Sequence, residues 1–301
     1  MPLIVVVPEL LASSAMVLPS TTITSLAPSL SPLTVKVSPV IVCPDSTVLA
    51  LALLCLSPLY VGAQAKTPAE RLALARATYY TPTTDGLRTF DCQVSTNWKD
   101  FLTRANSGKD IADDNPLLKY LNSATITLHN ALWSSAEVRW SEATPAPENL
   151  QESAAKMKEG ITKMLDGYFK SWNAYLNGTM VPVPDKSTTI SSTPDGIHLS
   201  AGGGGTKLDE DYDSNMLLTK AHVLMDESDV IASPTFSDTP RGRIISEVKS
   251  EVRQPPTAPP VFVTMSAKYQ TIGGYEIPSV LHFEVRNLLQ IDFALNGCKV
   301  N

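Results

Sequence analysis

From Arg243 to the C-terminus, apolar and polar residues alternate almost without interruption. Ile244, Ser246, Val248, Ser250 and Val252 fall on one side of an extended chain, with Ile245, Glu247, Lys249, Glu251 and Arg253 on the other. Val261, Val263, Met265, Ala267 and Tyr269 oppose Phe262, Thr264, Ser266 and Lys268. Leu281, Phe283 and Val285 oppose His282 and Glu284, and Leu289, Ile291, Phe293 and Leu295 oppose Gln290 and Asp292. A period of two with one apolar side means antiparallel strands that bury one face and wet the other. The links are too short for crossover helices: Gly273-Gly274 and Asn287 mark tight turns. Only Gln254–Pro260, with its prolines, is an extended loop that cannot join a ladder.

The same pattern reaches back past Pro182 and Pro184. Ile197–Leu199 and Lys207–Asp209 flank the turn Gly202–Gly205, and Leu217–Met225 alternates. Leu87–Val94 reads as a first strand, and Ala124–His129 with Ala136–Trp140 as a hairpin. A sheet with one apolar face needs a cover. The cover is helical. Thr67–Tyr80 opens with Thr, Pro and Glu in capping order. Trp98–Arg104 and Pro116–Leu121 are short helices. Asn149–Leu176 repeats apolar residues at steps of three and four, from Leu150 through Met157, Ile161, Met164 and Tyr168 to Trp172 and Tyr175. The fold class is therefore α+β: a curved antiparallel sheet of about ten strands, an incomplete β-barrel, covered by one long helix and several short ones.

The front of the chain is of another kind. Val48–Val61 is an apolar run ending at Gly62-Ala63-Gln64-Ala65, and Ala63 and Ala65 stand where a signal peptidase needs small residues. The run is too short to span a bilayer comfortably, and Pro58 would disturb a spanning helix. The division expected is 1–47 as a disordered or mis-annotated leader extension, 48–65 as the signal-peptide core and cleavage site, and 66–301 as a single half-barrel domain. Residues 1–65 hold one base and two acids, leaving 23 bases and 28 acids, a net charge of about −5, for the rest. A mildly acidic body argues against a nucleic-acid partner. Two cysteines remain after the leader, Cys92 and Cys298; in an exported, periplasmic or secreted protein an isolated pair is expected to form a disulfide.

No residue pattern amounts to a catalytic or metal site, and no motif implies a cofactor. His129, His198, His222 and His282 each sit alone in a strand pattern. Asp209-Glu210-Asp211-Tyr212-Asp213 has the acidic start of a calcium loop, but Ser214 replaces the turn glycine and Lys220 the closing glutamate. It reads as a solvated strand end. The feature left is the aromatic face of the long helix. That face is either simply the cover of the sheet or the wall of a cavity for an apolar ligand.

The C-terminal third resembles a known family. An acidic segment precedes a strand carrying Pro234-Thr235-Phe236, the charged strand Arg243–Arg253, Ala267-Lys268-Tyr269, Gly273-Gly274-Tyr275-Glu276-Ile277-Pro278 and Ile291-Asp292-Phe293. This order resembles the outer-membrane lipoprotein-sorting (LolA-like) carriers of Gram-negative bacteria. The resemblance implies an incomplete barrel with a helical lid, carriage of acyl chains and no chemistry. It implies an apolar or lipid-like ligand, or a lipoprotein acyl chain, with transient contact to membrane or envelope protein. The long helix and the cysteine pair are departures from that family. The side chains expected to border such a cavity are Met164, Tyr168, Trp172 and Tyr175 on the helix, facing Val263, Met265, Phe283 and Ile291 on the strands. The alternatives are an envelope scaffold or adaptor without ligand, and an enzyme using unpatterned carboxylates.

Overall fold

The computed structural model describes residues 67–301 apart from 107, 135, 175, 178–180, 182, 183, 185 and 204. The expectations for residues 1–65, including cleavage after Ala63-Gln64-Ala65, lie outside the described residues, as does Tyr175. Among the described residues there are four α-helices: α1 (Pro68–Thr78), α2 (Trp98–Ala105), α3 (Pro116–Ser123) and α4 (Gln151–Ala174), the last entered through a 3₁₀ turn at Glu148–Leu150. Helix α1 starts where its sequence says. The Thr67 hydroxyl accepts from the Glu70 N–H at 3.2 Å, and the Glu70 carboxylate accepts from the Thr67 N–H at 2.7 Å. Asn97 and Asn115 cap α2 and α3. Among the described residues no helix is long and apolar enough to cross a membrane.

Twelve strands form one antiparallel sheet: β1 (Thr89–Ser95), β2 (Ala124–Ala131), β3 (Ala136–Glu142), β4 (Thr189–Thr193), β5 (Gly196–Gly203), β6 (Thr206–Asp213), β7 (Leu218–Met225), β8 (Ser228–Thr239), β9 (Gly242–Arg253), β10 (Val261–Ile272), β11 (Tyr275–Val285) and β12 (Leu289–Val300). The expectation of about ten missed β4. Its sequence, TISST, is an exposed five-residue strand whose single apolar residue, Ile190, cannot show a period.

Spatial order is 3-2-1-12-11-10-9-8-7-6-5-4. The chain builds a three-stranded meander, covers it with α4, and returns as a nine-stranded meander whose last strand docks on β1. The sheet is therefore open, with β3 and β4 as its edges. It is also curved. Helix α1 touches both β4 and β9, five steps apart, which is about 24 Å on a flat sheet. Eleven helical residues span about 16 Å, which is consistent with strands that curl towards α1.

Four register shifts break the strict alternation. Phe236 pairs with Ile245 and Thr235 with Glu247, so Ser246 is an extra residue in β9. The insertion puts Ile245 on the face that Val248 occupies, where a pure period of two would put Ile244; both isoleucines are buried. A second bulge leaves Ser279 unpaired in β11. The third lies at the β1–β12 seam, where Asp91 pairs with Lys299 but Gln93 pairs with Asn296, and the fourth leaves Thr219 unpaired in β7, where Asp211 pairs with Lys220 but Tyr212 pairs with Leu218.

The Cys92–Cys298 disulfide forms as expected, 206 residues apart in sequence and 4.1 Å between Cα atoms. The topology brings the two cysteines together: β1 and β12 are ladder neighbours inside an open sheet.

Candidate functional site

Two helices cover the apolar face of the sheet, and each defines a distinct environment. Beneath α4 the environment is aromatic. The spacing of Met157, Ile161, Met164, Leu165, Tyr168, Phe169 and Trp172 puts all of them inside the core. The Trp172 ring, 0% exposed, stacks on Tyr168 at 5.2 Å between centroids and on Tyr269 of β10 at 6.2 Å. Phe169 meets Phe90 of β1 edge-on at 5.8 Å. The Tyr168 hydroxyl donates to the Ser266 carbonyl, 3.3 Å away, and the Tyr269 hydroxyl to the Ile245 carbonyl, 2.6 Å away. Burial holds both phenols well above their ordinary pKa.

Of the strand residues expected opposite, Met265, Phe283 and Ile291 form one cross-strand row over β10, β11 and β12. Val263 begins the next row, opposite Val285. All four are buried in the same core as Met164, Tyr168 and Trp172. The residue the aromatic stack rests on is Tyr269, four residues beyond Met265 on β10 and on the far side of the Ser279 bulge.

Helix α4 is fixed by polar contacts that the sequence does not announce. Asn173 and Asn130 of β2, both buried, exchange amide hydrogen bonds of 2.9 and 3.0 Å, and Asn173 also donates to the Ala131 and Ser134 carbonyls. Trp140 of β3 donates its indole N–H to Thr162, 3.0 Å away, and Lys158 pairs with Glu142.

Beneath α1 the environment contains an acid. In β6, Leu208, Glu210 and Tyr212 face inward and Asp209, Asp211 and Asp213 outward. The solvated strand end read from DEDYD is thus corrected at Glu210, which is 4% exposed. Its cross-strand neighbours are Leu199 of β5 and Ala221 of β7. The Tyr212 hydroxyl donates to its Oε2 at 2.6 Å, and among the described residues no cation lies within ion-pair distance of it. Burial pushes the Glu210 carboxyl up to about 8, the Tyr212 hydrogen bond opposing the rise. The signal was present in sequence: alternation continued from Leu208 lands on Glu210.

The wet face carries the histidines, and each finds an aspartate. His129 pairs with Asp91, His198 with Asp211, His222 with Asp229 and His282 with Asp292, at 2.7 to 2.8 Å. Three of these are direct cross-strand partners. Sequence spacing could not reveal them, because the carboxylate belongs to another strand. Near the β1–β12 bulge, Asp91, Gln93, His129, Arg139, Gly297 and Lys299 help line an open hollow of about 380 Å³ beside Cys92.

No family model, no curated protein and no solved structure matches the chain.

Proposed function

We propose that this chain is a non-catalytic protein that binds an apolar or lipid-like ligand between α4 and the sheet. One observation carries the reading. The inner face of α4 is a stack of flat rings, Tyr168 on Trp172 on Tyr269, with Met164 and Met265 beside them in the core. Rings and methionines slide and repack more readily than interlocked branched aliphatics. An acyl chain entering along α4 would replace contacts these side chains make with one another. The curled sheet supplies the opposite wall. Export to the periplasm or another oxidising space fits a chain that carries a disulfide.

The test is binding of a fluorescent acyl probe to purified protein, with lipid extraction of the same preparation. Wild type should bind the probe, and Trp172→Leu should weaken binding about tenfold while the protein stays folded. A folded wild type that binds no probe and yields no lipid overturns the reading. That result would favour an envelope scaffold or adaptor. The full burial of Trp172 and the satisfied Asn130–Asn173 pair support that second reading, since both are what a plain core requires.

A further inference from the structure

Glu210 occupies a place where the pattern of β6 calls for an apolar side chain. A buried carboxylate without a cation is unfavourable, and the group stays neutral until the solution forces its proton off. Three walls around it are laddered strands. The remaining side faces α1 and the residues that follow it, a strap running from Pro68 to Tyr80 that joins the sheet by one isolated bridge, Tyr79 to Arg243.

The strap comes near the acid at Tyr79, which feels the Glu210 charge. Helix α1 touches β4 on one side and β9 on the other, and β6 lies between those strands. Leu72 and Ala75 are its buried residues. The Arg76 Nε donates to the Val181 carbonyl at 2.9 Å. Beyond the helix, the Tyr79 hydroxyl accepts from the Leu218 N–H at 2.9 Å and donates to the Met216 carbonyl at 3.3 Å. The Tyr80 N–H donates to the Arg243 carbonyl at 2.8 Å. This last approach is close enough to require glycine at 242. A Cβ there would lie 2.8 Å from the Thr78 carbonyl oxygen, and the backbone has φ +124°.

Every ionisable group near the acid is accounted for by element. On β6 it is Tyr212, and on the strap Tyr79. Arg76 of α1 acts on Tyr212, Arg243 of β9 on Tyr79, and Asp213 lies at the β6–β7 turn. β5 and β7 present only Leu199 and Ala221 to Glu210. Burial raises Tyr79 to about 12 and Tyr212 higher still, so both phenols keep their protons where Glu210 loses its own.

We propose that the Glu210 carboxyl is a proton-operated latch for the strap: while it is neutral the strap stays docked, and when it ionises, water reaches it by displacing α1 and Tyr79. The proton passes to bulk solvent. The strands beneath stay paired, and the apolar face of β5 to β8 opens at one end. The latch stands whether or not a ligand binds under α4.

Hydrogen exchange read by mass spectrometry on the full chain tests this, with rates corrected for the intrinsic pH dependence. In wild type, amide protection over residues 68–80 should fall about tenfold or more between about pH 6 and about pH 9, with α4 unchanged. Glu210→Gln cannot ionise and should keep the strap protected at both. Gly242→Ala should leave it unprotected at both, and so defines the open state. If Glu210→Gln does not fold, Glu210→Leu combined with Tyr212→Phe replaces both polar groups and should behave alike. Equal protection of wild type at the two pH values overturns the latch. So does an undiminished loss of protection in a folded variant that lacks the acid.

Discussion

Helices α4 and α1 face the same problem, covering the apolar side of a sheet across five strand steps, and solve it differently. Helix α4 reaches from Trp140 on β3 to Ser266 on β10 with 24 residues. That is about 36 Å of helix, enough to lay a continuous aromatic stripe along the core. Its buried amides are matched to partners of the same kind, Asn173 with Asn130. Helix α1 has 11 residues and two buried ones, Leu72 and Ala75. It touches β4 and β9, and Tyr79 just beyond it lies near an acid. The long helix makes a seal that does not depend on pH, and the short one makes a seal that does. Area explains the difference. A short helix buries too little to outweigh an ionised group beneath it.

The largest effect that could break this contrast is in the α4 half. Trp172→Ala removes a fully buried indole and should lower unfolding free energy by about 3–5 kcal/mol. The loss, measured by denaturant titration, should be the same at about pH 6 and about pH 8. A loss that grows with pH would mean the two halves are not separate.

The next effect belongs to Glu210. Its folded pKa, about 8, lies above the ordinary 4.5, so between those values the native state holds a proton that the unfolded chain has released. Stability is therefore full below about pH 4.5 and falls as pH rises through 8. At about 1.4 kcal/mol per pKa unit the ceiling is about 5 kcal/mol. Relaxation and water entry reduce it to about 3 kcal/mol. Glu210→Gln should flatten that decline and make the protein more stable than wild type at about pH 8. A variant that declines in parallel with wild type would remove Glu210 as the cause.

Asn173→Ala should cost about 2 kcal/mol, because Asn130 keeps its buried amide and loses its partner. Asn130→Ala should cost about the same, and the double variant less than the sum. Full additivity in that cycle would show that the two amides do not act as a pair.

The smallest effect sharpens the other side. Thr67→Ala removes half of the α1 capping box and should cost about 1 kcal/mol. With the strap weakened, its opening should begin at lower pH, while exchange in α4 should not move. Exchange that changes in both helices would point to a common unfolding unit.

Much of this molecule could be read locally. The capping box at Thr67, the stripe from Met157 to Trp172, and the turns at Gly273-Gly274 and Asn287 are all properties of a few neighbouring residues. The aromatic residues of the candidate site were legible for the same reason. Tyr269 as the floor of the stack was not, because a bulge at Ser279 reorganises the ladder around it. Nor was the inward facing of Ile245, because one inserted residue, Ser246, reverses the parity of the strand on its far side.

The sequence alone settled periods: two for the strands and three to four for the helices, since these follow from backbone geometry within a few residues. It also showed that Cys92 and Cys298 were available to each other. Tertiary structure decided which elements meet. β1 lies beside β12, so the cysteines join neighbours within an open sheet and the edges fall to β3 and β4. Each histidine gains an aspartate from another strand. Above all, burial in the assembled fold pushes up the Glu210 carboxyl, and Tyr79, more than a hundred residues earlier in the chain, comes near enough to feel its charge. A side chain's facing is a local property of its strand, while its solvation depends on distant segments that come to cover it.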